Sequence, residues 1–155
     1  RSAALDIFSP EGAETLKRLA AKADVLVENY TPGTMARAGL GYAELRSVNP
    51  RLIYASISGF GQEGPYAQRP ALDVIVQGMG GMLSITGEPG GGPVRPGASI
   101  GDITAALFTT VAIQSALLER ERSGLGQYID ISMLDLKRFN EGRLMKSRYE
   151  MSVLA

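Results

Sequence analysis

One carboxylate, that of Asp135, stands at a position typical of catalytic side chains in α/β proteins. It ends the segment Gly126–Asp135, whose β-branched and aromatic residues predict a short strand that runs into a helix. Such strand-to-helix edges are where α/β sheets build their sites. The positive end of the helix dipole would keep the carboxylate ionised, as a nucleophile requires. Asp135 is therefore the leading candidate for the chemistry.

The same carboxylate has a structural interpretation. Ser132 stands at the expected N-cap and Asp135 follows three residues later, which is close to a capping box. In that arrangement the carboxylate bonds back to the main chain of the cap. On this segment alone the structural interpretation is favoured over catalysis.

Composition excludes several classes of chemistry. The chain has 155 residues, with 16 basic and 16 acidic side chains and no Cys, His or Trp. Without His or Cys, a serine–histidine triad, a thiol nucleophile, a disulfide framework and a zinc site are all disfavoured, and we expect no metal. The balanced charge gives no basic footprint for nucleic acid. The length indicates one domain or a piece of a larger one.

Hydropathy gives a further set of expectations. No apolar run approaches the length of a transmembrane helix, and no signal-peptide pattern is present, so we expect a cytoplasmic protein without a membrane partner. The longest predicted helix covers Asp102–Arg122 and is apolar nearly all round from Ile103 to Leu118. This pattern predicts a central, buried helix.

The elements that must position Asp135 alternate between strands and helices. Strands are predicted over Val25–Glu28, Leu52–Ser58 and the residues before Ser132; helices are predicted after Ser9, over Tyr42–Val48 and over Asp73–Met82. This order predicts an α/β fold with a mostly parallel sheet and flanking helices. The first two strands are each followed by a loop at their carboxyl end, Asn29–Gly33 and Gly59–Pro65. On composition alone the second loop is interpreted as a mobile turn rather than a binding loop.

Several segments together resemble the family III CoA-transferases, a superfamily that includes formyl-CoA transferase, carnitine CoA-transferase and the α-methylacyl-CoA racemases. The segments that carry the resemblance are Leu5-Asp6 with Ser9–Gly12, Ala23–Tyr30 with Pro32-Gly33, Asn49–Tyr54, Ser56–Gln62 with Gly64–Tyr66, Thr86–Pro89, and Glu119–Gln127. They run in register from about Arg1 to Asp135. The resemblance implies a Rossmann-like fold and an incomplete large domain.

The resemblance also implies a reaction. In this family an aspartate attacks an acyl-CoA thioester, and CoA is then passed to an acceptor carboxylic acid through an aspartyl-CoA intermediate. The family's nucleophile matches Asp135, which moves the interpretation of this residue toward catalysis. Asp130, on the preceding strand, is the structural alternative. Acyl-CoA and a carboxylic acid are the implied substrates.

Further positions match the family's CoA contacts and its acidic site residue. The implied CoA contacts are Leu5, Asn29, Tyr30, Thr31 and Arg37, the last as a phosphate ligand. Asp73 matches the acidic residue near the thioester, and its structural alternative is the N-cap of its own helix. Phe8 stands where relatives often place Lys.

Two departures from the family leave other functions open. Leu72 stands where the racemases carry His, so transfer is favoured over the enolisation of a 2-methylacyl-CoA. Family members are also much longer. We therefore interpret residues 1–135 as the central part of the large domain and 136–155 as an atypical charged tail, helical or disordered. We expect this fragment to be inactive alone, and a non-enzymatic CoA-binding or assembly module is the further alternative.

The resemblance finally implies an interlocked homodimer at full length. Missing segments would then leave apolar surface uncovered, and we expect association or poor solubility of the isolated chain.

Overall fold

The protein forms a three-stranded parallel sheet with helices on both faces, in a computed structural model that describes residues 2–137. The strands are β1 (Val25–Glu28), β2 (Ile53–Ser58) and β3 (Tyr128–Ser132), hydrogen-bonded in the order β1-β2-β3. The predicted α/β class and parallel sheet are confirmed. Of the predicted tail, residues 138–155 lie outside the described residues.

Seven helical segments connect and flank these strands within the described residues. They are α1 (Pro10–Ala20), α2 (Thr34–Arg37), α3 (Tyr42–Val48), α4 (Asp73–Met79), a 3₁₀ turn (Met82–Ile85), α5 (Ile100–Ser123) and α6 (Met133–Lys137). The side chain of Ser9 caps α1 by accepting from the Gly12 N–H at 3.0 Å, and Pro10 occupies the first helical position, as predicted.

Alternation along β2 divides the core into two clusters. Tyr54 points to one face and packs with residues of α1, α2 and α3, including Ala20, Met35 and Leu45. Ile57, three residues on, has the opposite parity and packs with residues of α4, α5, α6 and β3. Because both faces are covered, β2 is buried at almost every position, as central parallel strands usually are.

The amino edge of the sheet is held by Arg120, in the last turn of α5. Its guanidinium donates to the Arg51 carbonyl at 3.1 Å and to the Asp24 carboxylate at 2.8 Å. The Arg120 side chain is 8% exposed, whereas that of Asp24 is 76% exposed. Since Asp24 precedes β1 and Arg51 precedes β2, one buried cation joins the helix to the starts of two strands.

Helix α5 corrects two of the sequence predictions. It is the longest helix described, but only its narrow small-residue face is buried, at Gly101, Ala105, Thr109 and Ala116 beside Arg120. Its opposite stripe is exposed, with Leu107 at 63% and Leu118 at 72%. The prediction of a helix buried all round was wrong, because the small residues pack on the sheet and the large ones point away from it.

The expectation about transmembrane length was also wrong. Among the described residues, α5 is the one helix that is long and apolar enough to cross a membrane, with 24 residues and no charge between Ile103 and Leu118. This finding is based only on the length and composition of the helix. Since one face of α5 packs on β2, β3 and α4, the sheet accounts for that face without a membrane.

Replacing Arg120 with Ala should destabilise the fold by about 2 kcal/mol, because the Arg51 carbonyl loses a charged donor while Asp24 remains hydrated. Urea denaturation would measure the change. Arg122→Ala, at an exposed position of the same helix, is the control and should cost less than about 0.5 kcal/mol. Equal effects of the two substitutions would contradict this role.

The apolar stripe of α5 predicts self-association of the isolated chain. Leu107→Glu with Val111→Lys replaces two stripe residues by an i, i+4 ion pair and should abolish a concentration-dependent increase in mass measured by light scattering. The matched control is Ala106→Glu with Thr110→Lys, at exposed positions beside the stripe. A wild-type chain that stays monomeric at high concentration would contradict the prediction.

Candidate active site

Asp135 lies in the first turn of α6, directly after β3, at the carboxyl edge of the sheet. Its N–H donates to Ser132 Oγ at 3.3 Å, so one half of the predicted capping box is present. The residue is exposed, and no group among residues 2–136 donates a hydrogen bond to its carboxylate. The carboxylate thus does not form the return half of the capping box.

The loop after β2 is fastened to the segment that carries Asp135. The Gly59 carbonyl accepts from the Leu134 N–H at 3.0 Å, and the Gln62 N–H donates to Asp130 Oδ2 at 2.9 Å. Both partners belong to the stretch that begins on β3 and ends at Asp135. The loop therefore lies directly against the strand-to-helix turn of the candidate nucleophile.

Two glycines make this close approach possible. A Cβ on Gly59 would stand 2.0 Å from the Ala71 Cβ, so no side chain fits there. Gly61 adopts φ +82°, a left-handed conformation that favours glycine, and a Cβ there would already lie 3.5 Å from Asp130 Oδ2. Phe60, between them, is buried and packs edge-on against Tyr66. The Gly-Phe-Gly-Gln sequence is thus an ordered loop.

A row of polar side chains crosses one face of the sheet beside this loop. In register, Glu28 lies opposite Ser56, and Ser56 lies opposite Asp130. Ser56 is buried and accepts from the Tyr128 hydroxyl at 3.2 Å, while Glu28 accepts from the Tyr30 N–H at 2.8 Å. Neighbouring strands are about 4.8 Å apart, so the row spans about 10 Å from β1 to β3.

The ionised form of Asp130 is electrostatically unfavourable in this row. Asp130 is exposed, but partial desolvation beside the loop raises the pKa of its carboxyl, and the charges of Glu63, Asp135 and Glu28 raise it further. The hydrogen bond from the Gln62 N–H acts in the opposite direction but does not cancel the increase in pKa. A carboxylate held among other carboxylates in this way is typical of functional sites, although structural networks can do the same.

A small cavity of about 120 Å³ opens beside the polar row. Its walls include Glu28, Thr34, Tyr42, Ser56, Gln62 and Tyr128. Tyr42 and Tyr128 stack with ring centroids 5.2 Å apart, and burial raises the pKa of the Tyr128 hydroxyl. Gln62 Nε2 is a buried donor without a partner among the described residues. The cavity therefore combines aromatic walls with one available amide donor.

The structure brings four of the implied CoA contacts together. Asn29, Tyr30 and Thr31 are exposed in the loop that follows β1, and Arg37 lies in α2 immediately beyond it. Arg37 Nη2 donates to Thr34 Oγ1 at 3.0 Å, which holds the guanidinium back over the start of α2. This group occupies the same sheet edge as Asp135, on the other side of β2.

Asp73 has a different environment. Its Oδ1 accepts from the Gly101 N–H at 2.7 Å, and its Oδ2 accepts from the side chain of Gln77. The N-cap of α4 is Leu72, so the alternative that Asp73 caps its own helix was wrong. The buried carboxylate instead satisfies an N–H in the first turn of α5. Both of its oxygens are engaged by protein groups.

The remaining sequence positions lie near the start of the described chain. Leu5, in the segment before α1, is 37% exposed, and Phe8 is 62% exposed. Sequence reasoning missed Glu28, Ser56 and Gln62 as site residues. A polar residue at the end of an apolar strand was the available signal for Glu28. The alignment of Ser56 with Asp130 depends on sheet register, which no local pattern gives.

These features define a parallel α/β protein with an accessible carboxylate at a strand-to-helix turn. The family model described as CoA-transferase family III matches residues 1–140. The chain belongs to this family. No grouping of acidic side chains within residues 2–137 is arranged to hold a metal ion.

Similar proteins agree with this assignment. The chain is 48% identical over 137 residues to a succinate–glutarate CoA-transferase of Agrobacterium fabrum, covering 88% of this chain and 34% of the relative. It is 55% identical over 115 residues to an acetyl-CoA:oxalate CoA-transferase of Acetobacter aceti, covering 74% of this chain and 30% of the relative. A CAIB/BAIF family protein from Brucella suis has a matching structure, with TM-score 0.86, 46% identity and coverage of 89% and 36%. The chain thus spans about a third of the length of these relatives.

Replacing Asp130 with Asn should stabilise the fold at pH 7. Because the pKa of Asp130 is raised on folding, its ionised form costs stability, and this cost disappears as the pH falls below the ordinary Asp value of 3.8. The increase in thermal midpoint should therefore be present at pH 7 and shrink toward pH 3. Glu14→Gln, at an exposed position on α1, should show no such trend. A lower midpoint for Asp130→Asn at pH 7 would contradict the prediction.

Proposed function

We propose that this chain carries the nucleophile-bearing part of a CoA-transferase that moves CoA between two carboxylic acids. The observation that carries the proposal is the Asp135 carboxylate, exposed at the carboxyl edge of the sheet and without a hydrogen-bond donor among the described residues. Membership of CoA-transferase family III supports it.

The proposed reaction proceeds by covalent catalysis. A carboxylate oxygen of Asp135 attacks the thioester carbonyl carbon, the carbon–sulfur bond breaks, and an acyl-aspartyl anhydride and CoA thiolate result. The thiolate attacks the aspartyl carbonyl and releases the donor acid as its carboxylate. An acceptor carboxylate then attacks the aspartyl-CoA thioester, and the thiolate returns to the acceptor carbonyl, which regenerates Asp135.

The other residues have roles in binding and placement. We assign CoA contacts to Leu5, to the Asn29–Thr31 loop and to Arg37, whose planar guanidinium suits a phosphate. Asp73 supports the site by fixing the first turn of α5 rather than by accepting a proton, since both of its oxygens are engaged. The names of the relatives, which include succinate, glutarate and oxalate, favour a dicarboxylic acid as the acceptor.

Several finer aspects belong to the same proposal. We infer that the 155-residue chain does not complete the transfer alone, since it spans about a third of its relatives, and that the full-length protein is a cytoplasmic homodimer. Racemase-type enolisation is the alternative reaction. Exchange of deuterium at the α-carbon of a 2-methylacyl-CoA would favour that alternative, which Leu72 in place of His disfavours.

Substitution of Asp135 by Ala should abolish covalent loading. In a chain of its relatives' length that carries this sequence, succinyl-CoA or acetyl-CoA followed by hydroxylamine should convert Asp135 to a hydroxamate, detected by intact-mass and peptide mass spectrometry. Asp135→Ala should lose this product and at least about 1000-fold in transfer rate, as removal of a nucleophile does.

Asp102→Ala, at an exposed acidic position in the first turn of α5, is the matched control and should load normally. Full transfer activity in the Asp135→Ala protein would refute the assignment. A hydroxamate at Asp130 instead would make that residue the nucleophile.

A further inference from the structure

Asp130 has no role in the proposed transfer reaction, although it lies five residues before the proposed nucleophile. Its carboxylate accepts a hydrogen bond from the N–H of Gln62, a residue that lies 68 positions earlier in the sequence, in the loop after β2. The other end of that loop, Gly59, is bonded to Leu134, immediately before Asp135. Two hydrogen bonds thus close a ring of main chain that contains both the loop and the nucleophile turn.

Both glycines of the ring lie near neighbouring residues. Gly59 is in contact with Ala71, and a Cβ on Gly61 would meet Asp130 Oδ2 and the Ser132 Cβ at 3.5 Å, an ordinary contact distance. Phe60 is buried between them. The Asp130 hydrogen bond opposes movement of the loop away from the strand at its Gln62 end.

The loop also carries the side-chain amide of Gln62. The Gln62 amide nitrogen is buried, has no partner among the described residues and belongs to the wall of the cavity beside Glu28 and Ser56. A buried, unpaired amide donor is destabilising, and a hydrogen bond to a ligand oxygen would remove that cost. Its direction in space is set by the same main chain that Asp130 holds.

We propose that Asp130 is a positioning residue that holds loop 59–62 against the Asp135 turn, so that the Gln62 side-chain amide donates to a carbonyl oxygen of the bound acyl-CoA. The identity of the ligand rests on the proposed function. The fastening of loop 59–62 by Asp130 does not, because it involves only residues of this chain. Asp130 takes no part in bond making or breaking. Its electrostatic cost among Glu28, Glu63 and Asp135 agrees with a role other than stability.

Amide hydrogen exchange measured by NMR on the 155-residue chain tests the hold. Asp130→Ala should raise the exchange rate of the Gln62 N–H about tenfold, as expected for loss of a hydrogen bond to a charged acceptor. It should also raise the rate of the Leu134 N–H, at the opposite end of the loop, because the ring opens as a unit. Asp130→Asn, which keeps an acceptor oxygen, should restore both amides to within about threefold of the wild type.

Asp102→Ala is the matched control and should change neither amide. Faster exchange at Gln62 with unchanged exchange at Leu134 would overturn the proposal, since Asp130 would then only cap one N–H. Unchanged exchange at both amides would overturn it too. Chemical shifts in the core of Asp130→Ala would confirm that the variant is folded, and Asp130→Asn gives a second folded variant for comparison.

The ligand step is tested separately in the longer chain used for covalent loading. Asp130→Ala and Gln62→Ala should both slow hydroxamate formation at Asp135 at least about tenfold at saturating acyl-CoA, with little change in the half-saturating concentration. If the wild type loads and both variants load at its rate, the role of Gln62 is overturned. If the wild type does not load, the proposed function fails, while the exchange rates still decide whether Asp130 holds the loop.

Discussion

The position of α5 depends on opposite charges fixed at its two ends. The Asp73 carboxylate receives an N–H of the first turn, and the Arg120 guanidinium in the last turn reaches the starts of β1 and β2. Each charge complements the helix dipole at its end. Twenty-four residues of helix span about 36 Å. Because α5 packs on β2, β3 and α6, these two anchors set where the Asp135 turn stands relative to the sheet.

The two edges of the sheet differ in packing and in polarity. The amino edge is closed: a Cβ on Gly126 would stand 2.0 Å from the Leu52 carbonyl oxygen, and the Gly126 N–H bonds to Pro50. The carboxyl edge carries carboxylates, a buried amide without a partner and a glycine-bearing loop. Rigid packing at one edge therefore supports an electrostatically costly arrangement at the other, as enzyme sites commonly require.

Sequence reasoning succeeded where local chemistry determines structure. The Ser9-Pro10 start of α1, the apolar strands and the turn at Ser132 all follow from capping and patterning rules, and the parallel sheet follows from their order. It failed for α5, because composition cannot say which side of an apolar helix meets the sheet. It could not find the alignment of Glu28, Ser56 and Asp130 either, since register joins residues that lie far apart in the chain.

The carboxylates at the functional edge also act together over a distance. Glu28, Glu63, Asp130 and Asp135 create a negative potential there, whereas Arg37 offers a positive charge on the β1 side. Dissolved ions weaken such fields beyond about 8 Å at physiological ionic strength. Added salt should therefore weaken the repulsion between an anion and the carboxylates of this edge, and it should also weaken the attraction between an anion and Arg37. The two ends of the edge would thus respond to ionic strength in opposite directions.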